Sequence, residues 1–402
     1  MTFLPRRGNA SDLVSDIQRL LRDLQLPAWL FYDFRGLDPI ALRILEFDPS
    51  AHTTRRWFYL VPAQGTPIKL VHRIESGVLD HLPGTKEIYL RWEELRSKLE
   101  SMLNNLSSVA MQYSEKNAIP YISRVDAGTR ELVQSCGPQV VSSADAIQRF
   151  ESVWSADQVK EHRTVAQTLT SIVNAAFEKA GADIQSHGSS SEWSIQDFIL
   201  RCFEEESLRT DSPPIVAVNQ NSGDPHYQPS KERHSEIRKG DFLLIDLWAR
   251  TPGPQAVFAD ITWTAFFGHH LPSLQHEVFE IVRRSRDRGV EFLKDRLSAG
   301  HPPQGWEVDE AVREVIRQAG YGECFVHRTG HNLGREVHGN GVNFDNLETH
   351  DTRRIIPGIA CTIEPGIYLK EFGVRSEINV YLMENDIEVT TPPQDEVVML
   401  EC

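Results

Sequence analysis

The pattern of apolar and polar positions divides the chain into two regions, of which the first covers about 150 residues. Apolar residues recur at helical spacing over residues 13–24, and an apolar run at 28–33 predicts a buried strand directly after that helix. Two further apolar runs, 57–61 and 67–72, flank a turn at Gly65 and predict a hairpin. This alternation predicts a small α/β domain, in which we find no grouping of catalytic or metal-binding residue types.

The second region combines long helices with longer apolar strands. Its first helix is predicted to begin after the N-cap Ser155 and to carry apolar residues as far as Ala176. Further helices are predicted near 193–206, 274–297 and 308–319, and strands at 214–218, 242–248, 257–267, 359–369 and 374–382. We therefore predict two domains, residues 1–152 and 153–402.

Four acidic residues interrupt the apolar strands of the second domain. They are Asp246 in LLIDLW, Asp260 in VFADIT, Glu364 in CTIEPG and Glu377 in VRSEIN. Carboxylates are rarely buried unless they are paired or bound to a cation. An arginine or backbone donors could satisfy any one of them, but four on two hairpin-like pairs would repel one another strongly. A pair of divalent cations would supply the missing positive charge.

Residues 327–339, HRTGHNLGREVHG, hold three of the 15 histidines of the chain. A chance surface cluster is one explanation, and a metal ligand among the three is the other. Gly330 would let backbone approach closely beside His331. Four carboxylates and one imidazole form an oxygen-rich site that suits Mn²⁺ or Co²⁺ better than a structural zinc ion. We therefore interpret His331 as a ligand, with His327 and His338 placed to act on a nearby substrate.

These segments resemble, in order, those of the pita-bread metallopeptidase family, which includes methionine aminopeptidase, aminopeptidase P and prolidase. The matching segments are LLIDLWA, ADITWT, HRTGHNLGREVH, TIEPGIY and GVRSE. The segment PHY at 225–227 also matches members that act on Xaa-Pro substrates, which carry a substrate-side histidine there. The resemblance runs from about residue 153 to the C terminus, and residues 1–152 resemble the N-terminal domain of prolidase, aminopeptidase P and creatinase.

The resemblance implies an α+β fold. A curved antiparallel pita-bread sheet, flanked by helices and with a pseudo-twofold relation between its halves, would follow a smaller α/β N-terminal domain of the creatinase type. It also implies two divalent metal ions per chain, with Mn²⁺ as the first choice and Co²⁺ or Zn²⁺ as alternatives. Asp246 would bind one ion through both oxygens, His331 would complete the shell of the other, and three acids would bind between or across the two: Asp260, Glu364 and Glu377.

The resemblance assigns the remaining residues to the reaction. A water bridging two cations about 3.5–4 Å apart would have its pKa lowered from about 15.7 towards about 7 and would attack the peptide carbonyl. Glu364 would pass the proton to the leaving amine. His226 and His338 would steady the carbonyl and the developing oxyanion, with His327 close by. Arg375 would support the ligands from behind, although an ordinary exposed arginine is equally compatible with the sequence.

The implied activity is that of an exopeptidase that cleaves before proline, either an Xaa-Pro dipeptidase or an Xaa-Pro aminopeptidase. A free substrate amine would meet the cluster of metal ions and carboxylates. A second interpretation is an enzyme of the same fold with other chemistry, such as creatinase, which hydrolyses a small amidine without metal. A third is a catalytically silent binding module. Retention of all five ligands argues against both, and the absence of a charged tail argues against the third.

Several positions differ from the usual family sequence. Trp248 stands where glycine is common, Trp263 stands where arginine is common, and Ile378 replaces a frequent acid. The two aspartates are 14 residues apart, with TPGP at 251–254, and HGNG at 338–341 replaces HE-x-P. None of these changes removes a ligand, but they alter the surroundings of the site, so Xaa-Pro specificity follows less directly than hydrolysis. Core packing is the alternative explanation for both tryptophans.

Composition and charge restrict the partners and the location. The net charge of −15 would repel a phosphate backbone, so we expect no nucleic-acid partner. No run approaches the roughly 18 apolar residues of a membrane span, and MTFLPRRGNASDL has no apolar secretory core. The five cysteines are widely spaced and form no CxxC motif, which is typical of reduced thiols. We expect a cytoplasmic protein and, from the family, a homodimer that binds a peptide substrate.

Overall fold

A computed structural model describes residues 10–48 and 53–401 of the chain. It separates into two units, Met1–Glu151 and Ser152–Cys402. This division lies one residue from the predicted boundary between residues 152 and 153. The assignment of the first unit as a creatinase- or prolidase-type domain stays a prediction.

The first unit is a six-stranded sheet with helices on both faces. Its helices are α1 (Ala10–Asp23), α2 (Pro39–Ile44), α3 (Trp92–Leu103), α4 (Ala127–Ser135) and α5 (Ala144–Glu151). Its strands are β1 (Ala28–Asp33), β2 (Trp57–Pro62), β3 (Ile68–His72), β4 (Thr85–Tyr89), β5 (Ser108–Met111) and β6 (Gln139–Ser142). The strands lie in the order β4-β3-β2-β1-β5-β6, and β2 and β3 pair antiparallel as the predicted hairpin.

Strand β1 is apolar up to Asp33 because both faces of this sheet are covered. Trp29 and Phe31 face one apolar cluster with residues of α1, whereas Leu30 and Tyr32 face a second cluster with residues of α3. All six residues of β1 are buried. The continuous apolar run at 28–33 is therefore the signature of a central strand rather than of a half-exposed one.

The second unit repeats one order of elements, two helices followed by three main strands. The first set is α6 (Ala156–His187), α7 (Glu192–Glu205), β8 (Ile215–Val218), β10 (Phe242–Ala249) and β11 (Ala259–Phe267), with the short strands β7 (Ser190–Ser191) and β9 (Glu236–Ile237). The second set is α8 (Ser273–Ser298), α9 (Gly305–Gln318), β12 (Asn332–Leu333), β13 (Ala360–Ile363) and β16 (Ile378–Leu382), with β14 (Gly366–Tyr368), β15 (Gly373–Arg375), β17 (Ile387–Val389) and β18 (Val398–Leu400). The two main sheets have the orders β18-β11-β10-β8 and β12-β13-β16-β17.

Helix α6 begins as the sequence predicts. The Ser155 side chain accepts a hydrogen bond from the Gln158 backbone, and the Gln158 side chain returns one to the Ser155 backbone, which completes a capping box. The helix ends at Gly188, whose positive φ of 84° closes the last turn. Its apolar stripe, with that of α7, packs on the odd-numbered residues of β10 and β11, which leaves their even-numbered face for other contacts.

Two strands that the sequence predicts as continuous are interrupted in the structure. The run 359–369 is broken at Glu364 and Pro365, and the run 374–382 is broken at Ser376 and Glu377. Proline has no N–H to donate to a ladder. The backbone N–H groups of both glutamates leave the ladder, because Glu364 donates to the Thr329 carbonyl at 2.7 Å and Glu377 donates to the Thr262 carbonyl at 3.3 Å. The interruptions thus turn both acids towards other segments of the unit.

Asn379 links the two main sheets. Its side-chain oxygen accepts from the Asp260 backbone N–H at 3.0 Å, and its amide donates to the Asp260 carbonyl at 2.7 Å. This pair of bonds fixes Asp260 against the strand that follows Glu377. Among the described residues, no helix is long and apolar enough to cross a membrane.

Candidate metal and catalytic site

Asp246 and Asp260 lie on one face of the β10–β11 pair. Asp246 is opposite Thr262, and Trp248 is opposite Asp260, so the two carboxylates are diagonal neighbours. Both are buried, with 8% and 5% of their surface exposed. Side chains alternate between the faces of a strand, so the even separation of 14 residues keeps both aspartates on the even-numbered face despite the long turn.

Glu364 and Glu377 face each other where the second pair of strands is interrupted. Ile363 pairs with Ile378 on one side of the gap, and Gly366 pairs with Arg375 on the other. The register is the same on both sides, so Glu364 stands opposite Glu377. The sequence indicated two acids on each of two hairpin-like units, and the structure places both pairs at the junction of the two sheets.

His331 directs one ring nitrogen at these acids. Its Nε2 lies 3.4 Å from a Glu364 oxygen and 3.7 Å from an Asp260 oxygen. Its Nδ1 lies 3.4 Å from the Asn332 carbonyl, which can only accept a hydrogen bond. The proton therefore belongs on Nδ1, and the lone pair of Nε2 points to the acids, as in a metal-binding histidine whose other nitrogen is held by the protein.

Gly330 makes this position of His331 possible. A Cβ atom on residue 330 would lie 2.0 Å from the Thr362 carbonyl oxygen, a distance that no side chain tolerates. The His331 backbone N–H in turn donates to the Thr362 hydroxyl at 2.9 Å. The histidine segment thus lies directly against β13, as the glycine beside His331 indicated.

Three buried carboxylate oxygens of the cluster have no hydrogen-bond partner: Oδ1 of Asp246, Oδ1 of Asp260 and Oε1 of Glu377. Ligand atoms of Asp260, His331 and Glu377 lie within 4.8 Å of one another. Burial and the neighbouring acids raise the pKa of Asp260 and of Glu377 well above the ordinary values. An acidic cluster that is both buried and incompletely bonded fits divalent cations, which would satisfy the free oxygens and offset the repulsion.

Arg375 is buried behind the cluster and connects its parts. Its guanidinium donates to an Asp246 oxygen, to the Thr262 hydroxyl at 3.0 Å and to the Tyr368 hydroxyl at 2.9 Å. Thr262 donates onward to Glu377 at 2.7 Å. Burial lowers the pKa of Arg375, but Tyr368 and the surrounding acids together hold it above its ordinary value. Of the two interpretations of this arginine, the structure agrees with the buried one.

Tyr368 is a functional candidate that the sequence interpretation did not assign, although it lies in the quoted segment TIEPGIY. Its hydroxyl accepts from Arg375 and lies 2.7 Å from Nε2 of His327, whose Nδ1 lies 2.7 Å from the Arg328 carbonyl. The carbonyl fixes the proton on Nδ1, so Tyr368 donates to Nε2. Burial, with the charge of Arg375, lowers the pKa of His327 to about 3. Both nitrogens of this neutral ring form hydrogen bonds within the protein.

His338 and His226 lie on the solvent side of the site. The His338 ring meets His331 edge to face, with centroids 4.4 Å apart. Desolvation by surrounding residues, with the charges of Arg328 and His226, lowers the pKa of His338 to about 4, so its imidazole is neutral near pH 7. His226 is exposed, and its backbone N–H donates to Asp224 at 3.0 Å. Among the described residues, neither ring finds hydrogen-bond partners for both of its nitrogens, unlike the ring of His327.

The unusual HGNG segment packs on the residue after His331. The backbone N–H of Gly339 donates to the Asn332 carbonyl at 2.7 Å, and that of Gly341 donates to the Asn332 side chain at 2.9 Å. A Cβ on Gly339 would lie 2.4 Å from the Asn332 side-chain oxygen. This close contact explains why glycine follows His338 here.

The two unusual tryptophans lie on opposite faces of the β10–β11 pair. Trp248 is half-buried on the face of Asp246 and Asp260. Trp263 packs on the other face, against the apolar cluster formed with α6 and α7. Core packing therefore accounts for Trp263, whereas Trp248 belongs to the surroundings of the acids.

Comparison with solved structures identifies the fold. The chain superposes on the prolidase from Thermococcus sibiricus with a TM-score of 0.62 at 22% identity, covering 98% of this chain and 100% of that one. It superposes on the dipeptidase PepE from Mycobacterium ulcerans with a TM-score of 0.67 at 20% identity, covering 98% of both chains. The predicted α+β pita-bread fold is confirmed by these likenesses.

Sequence comparison gives the family. The chain is 34% identical to the Xaa-Pro dipeptidase from Pyrococcus furiosus over 184 residues, 46% of this chain and 48% of that protein, so the match spans about half of the relative. It is 26% identical to the putative dipeptidase YkvY from Bacillus subtilis over 314 residues, 77% of both. The sequence profile of Metallopeptidase family M24 matches residues 165–384, more than half of the chain. The protein therefore belongs to metallopeptidase family M24.

Proposed function

We propose that the protein is a metal-dependent exopeptidase that hydrolyses the peptide bond before proline, as an Xaa-Pro dipeptidase or an Xaa-Pro aminopeptidase. One observation carries the proposal: buried carboxylate oxygens without partners converge with Nε2 of His331. Membership of a metallopeptidase family supports hydrolysis, and the relatives named Xaa-Pro dipeptidase support the substrate class.

Five residues would hold two divalent ions, with Mn²⁺ preferred over Co²⁺ and Zn²⁺: Asp246, Asp260, His331, Glu364 and Glu377. When bound, the ions supply Lewis-acid polarisation and an activated water. Arg375 keeps Asp246 oriented, and it holds Glu377 through Thr262. These bonds fix ligand geometry from outside the cluster, as partners of ligands commonly do.

Glu364 is suited to move the proton. Without metal, burial raises its pKa to about 7, although the charge of Arg375 opposes the rise. Bound cations would favour the carboxylate form, which can accept a proton and return it. We assign to Glu364 the transfer of a proton to the leaving amine, at the side-chain oxygens that lie beside His331.

His338 and His226 are suited to the substrate carbonyl. Neutral His338 carries an N–H that can donate to an oxygen on which negative charge develops. His226 lies on the same solvent side, close enough for its charge to affect the pKa of His338. The free amine of the substrate would meet the carboxylates, so the bond cleaved is the first one of the peptide.

The proposal is tested by loading the full-length protein with Mn²⁺ and measuring metal content together with cleavage of Ala-Pro and Ala-Pro-Gly. We expect about two ions per chain and hydrolysis that a chelator abolishes. Cleavage of the dipeptide alone would identify a dipeptidase, and cleavage of the tripeptide would identify an aminopeptidase. Failure to cleave either peptide with both ions bound would refute the proposal. Full activity with almost no metal would favour creatinase-like chemistry.

We further propose a cytoplasmic homodimer that binds neither nucleic acid nor membrane. The four cysteines that the structure describes are free, which supports a reducing compartment, while Cys402 lies outside the described residues. Light scattering of the purified protein tests the dimer, and a strictly monomeric mass would refute that part alone.

A further inference from the structure

Trp248 stands beside the acids rather than in the core behind them. It lies directly opposite Asp260 on the β10–β11 pair and two residues beyond Asp246 on the same face. Its indole N–H donates to an Asp211 oxygen at 3.1 Å, which fixes the orientation of the ring. The indole is thus held in a fixed orientation beside the carboxylates.

The apolar contacts of Trp248 reach towards both histidine segments. One cluster on which it packs contains Ile215 and Leu244, and Tyr227 packs on the same cluster. The other contains Phe258 and Leu333, and Val337 packs on that one. Tyr227 directly follows His226, and Val337 directly precedes His338. Trp248 therefore packs on both of the clusters against which the neighbours of these two histidines pack.

The position of Trp248 corresponds to the side chain of the first substrate residue. In the proposed function, the substrate amine meets the carboxylates and the scissile carbonyl meets His226 and His338. The Cα atom of the first residue lies between those two groups in any peptide, so its side chain projects from the space between the acids and the histidines. That space is the one that Trp248 borders.

We propose that Trp248 forms a wall of the pocket for the side chain of the N-terminal substrate residue and restricts that residue to small side chains. The inference rests on the proposed function and deepens it. Glycine, common at this position in the family, would leave the space open, whereas an indole held by Asp211 occupies it. A hydrophobic pocket discriminates by size because a side chain that is too large must displace packed atoms.

The chain contains a matched control. Trp263 is the second tryptophan that departs from the family sequence, and it lies on the neighbouring strand of the same sheet. Its side chain packs against the cluster of α6 and α7, on the face away from the acids. Removal of this ring therefore tests the general effect of losing a tryptophan from β10–β11 without opening the proposed pocket.

The experiment measures kcat/KM of the Mn²⁺-loaded full-length protein for Ala-Pro and Phe-Pro. In Trp248→Ala we expect the ratio of Phe-Pro to Ala-Pro to rise by about 10-fold or more, because even one methylene in such a pocket alters discrimination by about 10- to 200-fold. Trp248→Phe should produce a smaller rise. Trp263→Ala, or Trp263→Phe if the alanine variant does not fold, should keep the wild-type ratio.

A binding measurement separates this inference from the proposed function. Calorimetry of L-alanine and L-phenylalanine, the N-terminal products, reports on the pocket without turnover. We expect Trp248→Ala to gain affinity for L-phenylalanine relative to L-alanine, even if no peptide is cleaved. Unchanged ratios of both kcat/KM and affinity would overturn the inference while leaving hydrolysis intact. An equal change in Trp263→Ala would overturn it as well, because the effect would then be one of general stability.

Discussion

Two groups of buried ionisable side chains in residues 152–402 differ in whether the protein completes their hydrogen bonds. The supporting acids, Asp309, Asp345 and Asp351, are fully buried, and both oxygens of each accept hydrogen bonds from backbone or arginine donors. In the metal-site acids, by contrast, Asp246, Asp260 and Glu377 each keep one oxygen without a partner. Burial alone therefore does not identify a metal ligand, and within residues 152–402 it is incomplete bonding that separates these acids from the supporting ones.

The two groups are physically connected through the histidine segment. Arg313 donates to the carbonyls of Phe325 at 2.8 Å and His327 at 2.7 Å, while its partner Asp309 accepts from the Thr329 backbone at 2.9 Å. The pair holds the backbone just before His331 from the side of α9. The completed group stabilises the scaffold, and the incomplete group is the one that we propose for the cations.

The largest contrast should appear when one acid of each group is neutralised. Glu377→Gln should lose metal and reduce activity by more than the roughly 10- to 100-fold typical of partners outside the ligand set. In the metal-free protein, however, it should raise the melting temperature, because burial and repulsion disfavour the charged form of Glu377. Asp351→Asn should keep both ions and lower the melting temperature. Metal analysis and thermal melts with and without chelator measure both effects.

The comparison fails if the two substitutions behave alike. A stabilising Asp351→Asn would mean that its arginine and backbone bonds do not outweigh burial. A Glu377→Gln variant with wild-type metal content would remove Glu377 from the proposed ligand set.

The next largest effect should follow from breaking the Asp309–Arg313 pair. Arg313→Gln leaves a buried aspartate without its charged partner, which typically costs about 3–5 kcal/mol of unfolding free energy. Arg317→Gln on the same helix removes an arginine that pairs with Glu310 and Glu314 at the surface, where an ion pair typically contributes at most about 1 kcal/mol. Urea titration compares the free energies of unfolding of the two variants. Equal losses of stability would show that the buried pair contributes no more than the surface pairs.

A third prediction separates metal binding from stabilisation of the transition state. His331→Ala should lose metal from one site together with activity. His338→Ala should keep both ions, while kcat falls by about 10²–10³, or about 2.7–4 kcal/mol, as for the loss of one oxyanion donor. A donor that acts only in the transition state should lower kcat and kcat/KM together. Loss of an ion from His338→Ala, with full metal content in His331→Ala, would reverse the two roles.

The four acids could be selected from the sequence because a charged residue within an apolar strand is visible without structure. His331 could be selected because three histidines and Gly330 stand together in residues 327–339. The supporting acids could not be separated from surface acids, since Asp309 lies in the polar-rich segment WEVDEAVRE. Its burial depends on the contacts of α9 with residues 325–329 and Asn346, which are not local in sequence. The strand interruption at Glu377 was missed for the same reason, because its backbone partner Thr262 lies far away in the chain. Pro365 gave a local indication of the interruption at Glu364.

The face of each tryptophan was predictable in principle but was not assigned. Alternation along β10 and β11 places Trp248 with Asp246 and places Trp263 away from Asp260. The network of Tyr368, His327 and Arg375 required coordinates, because a tyrosine in an apolar strand gives no indication of the direction of its hydroxyl. Local sequence patterns thus predict which residues could carry the chemistry. Tertiary contacts decide which of them already form all their hydrogen bonds within the protein.

The smallest effect concerns His162, a buried histidine outside the proposed site. Both ring nitrogens of His162 form hydrogen bonds. Nδ1 lies 3.0 Å from the Phe258 carbonyl, and Nε2 lies 2.7 Å from the Thr390 hydroxyl. Burial lowers the pKa of His162 to about 4, from an ordinary value of 6.5. The unfolded chain therefore takes up a proton first as the pH falls, so His162 should reduce stability between pH 6.5 and about 4.

Glu364 should act in the opposite direction in the metal-free protein. Its folded pKa of about 7 lies above the ordinary 4.5, so its contribution falls as the pH rises between these values. The His162 effect must therefore be measured as a difference in pH dependence between wild type and His162→Gln in chelator. Across pH 6.5 to 5, we expect that difference to approach about 1.4 kcal/mol per pH unit. Parallel stability curves would show that His162 takes up its proton at the same pH in the folded and the unfolded chain. Thr390 would then have to turn its hydroxyl from Nε2 towards the Asn379 carbonyl, 3.3 Å away.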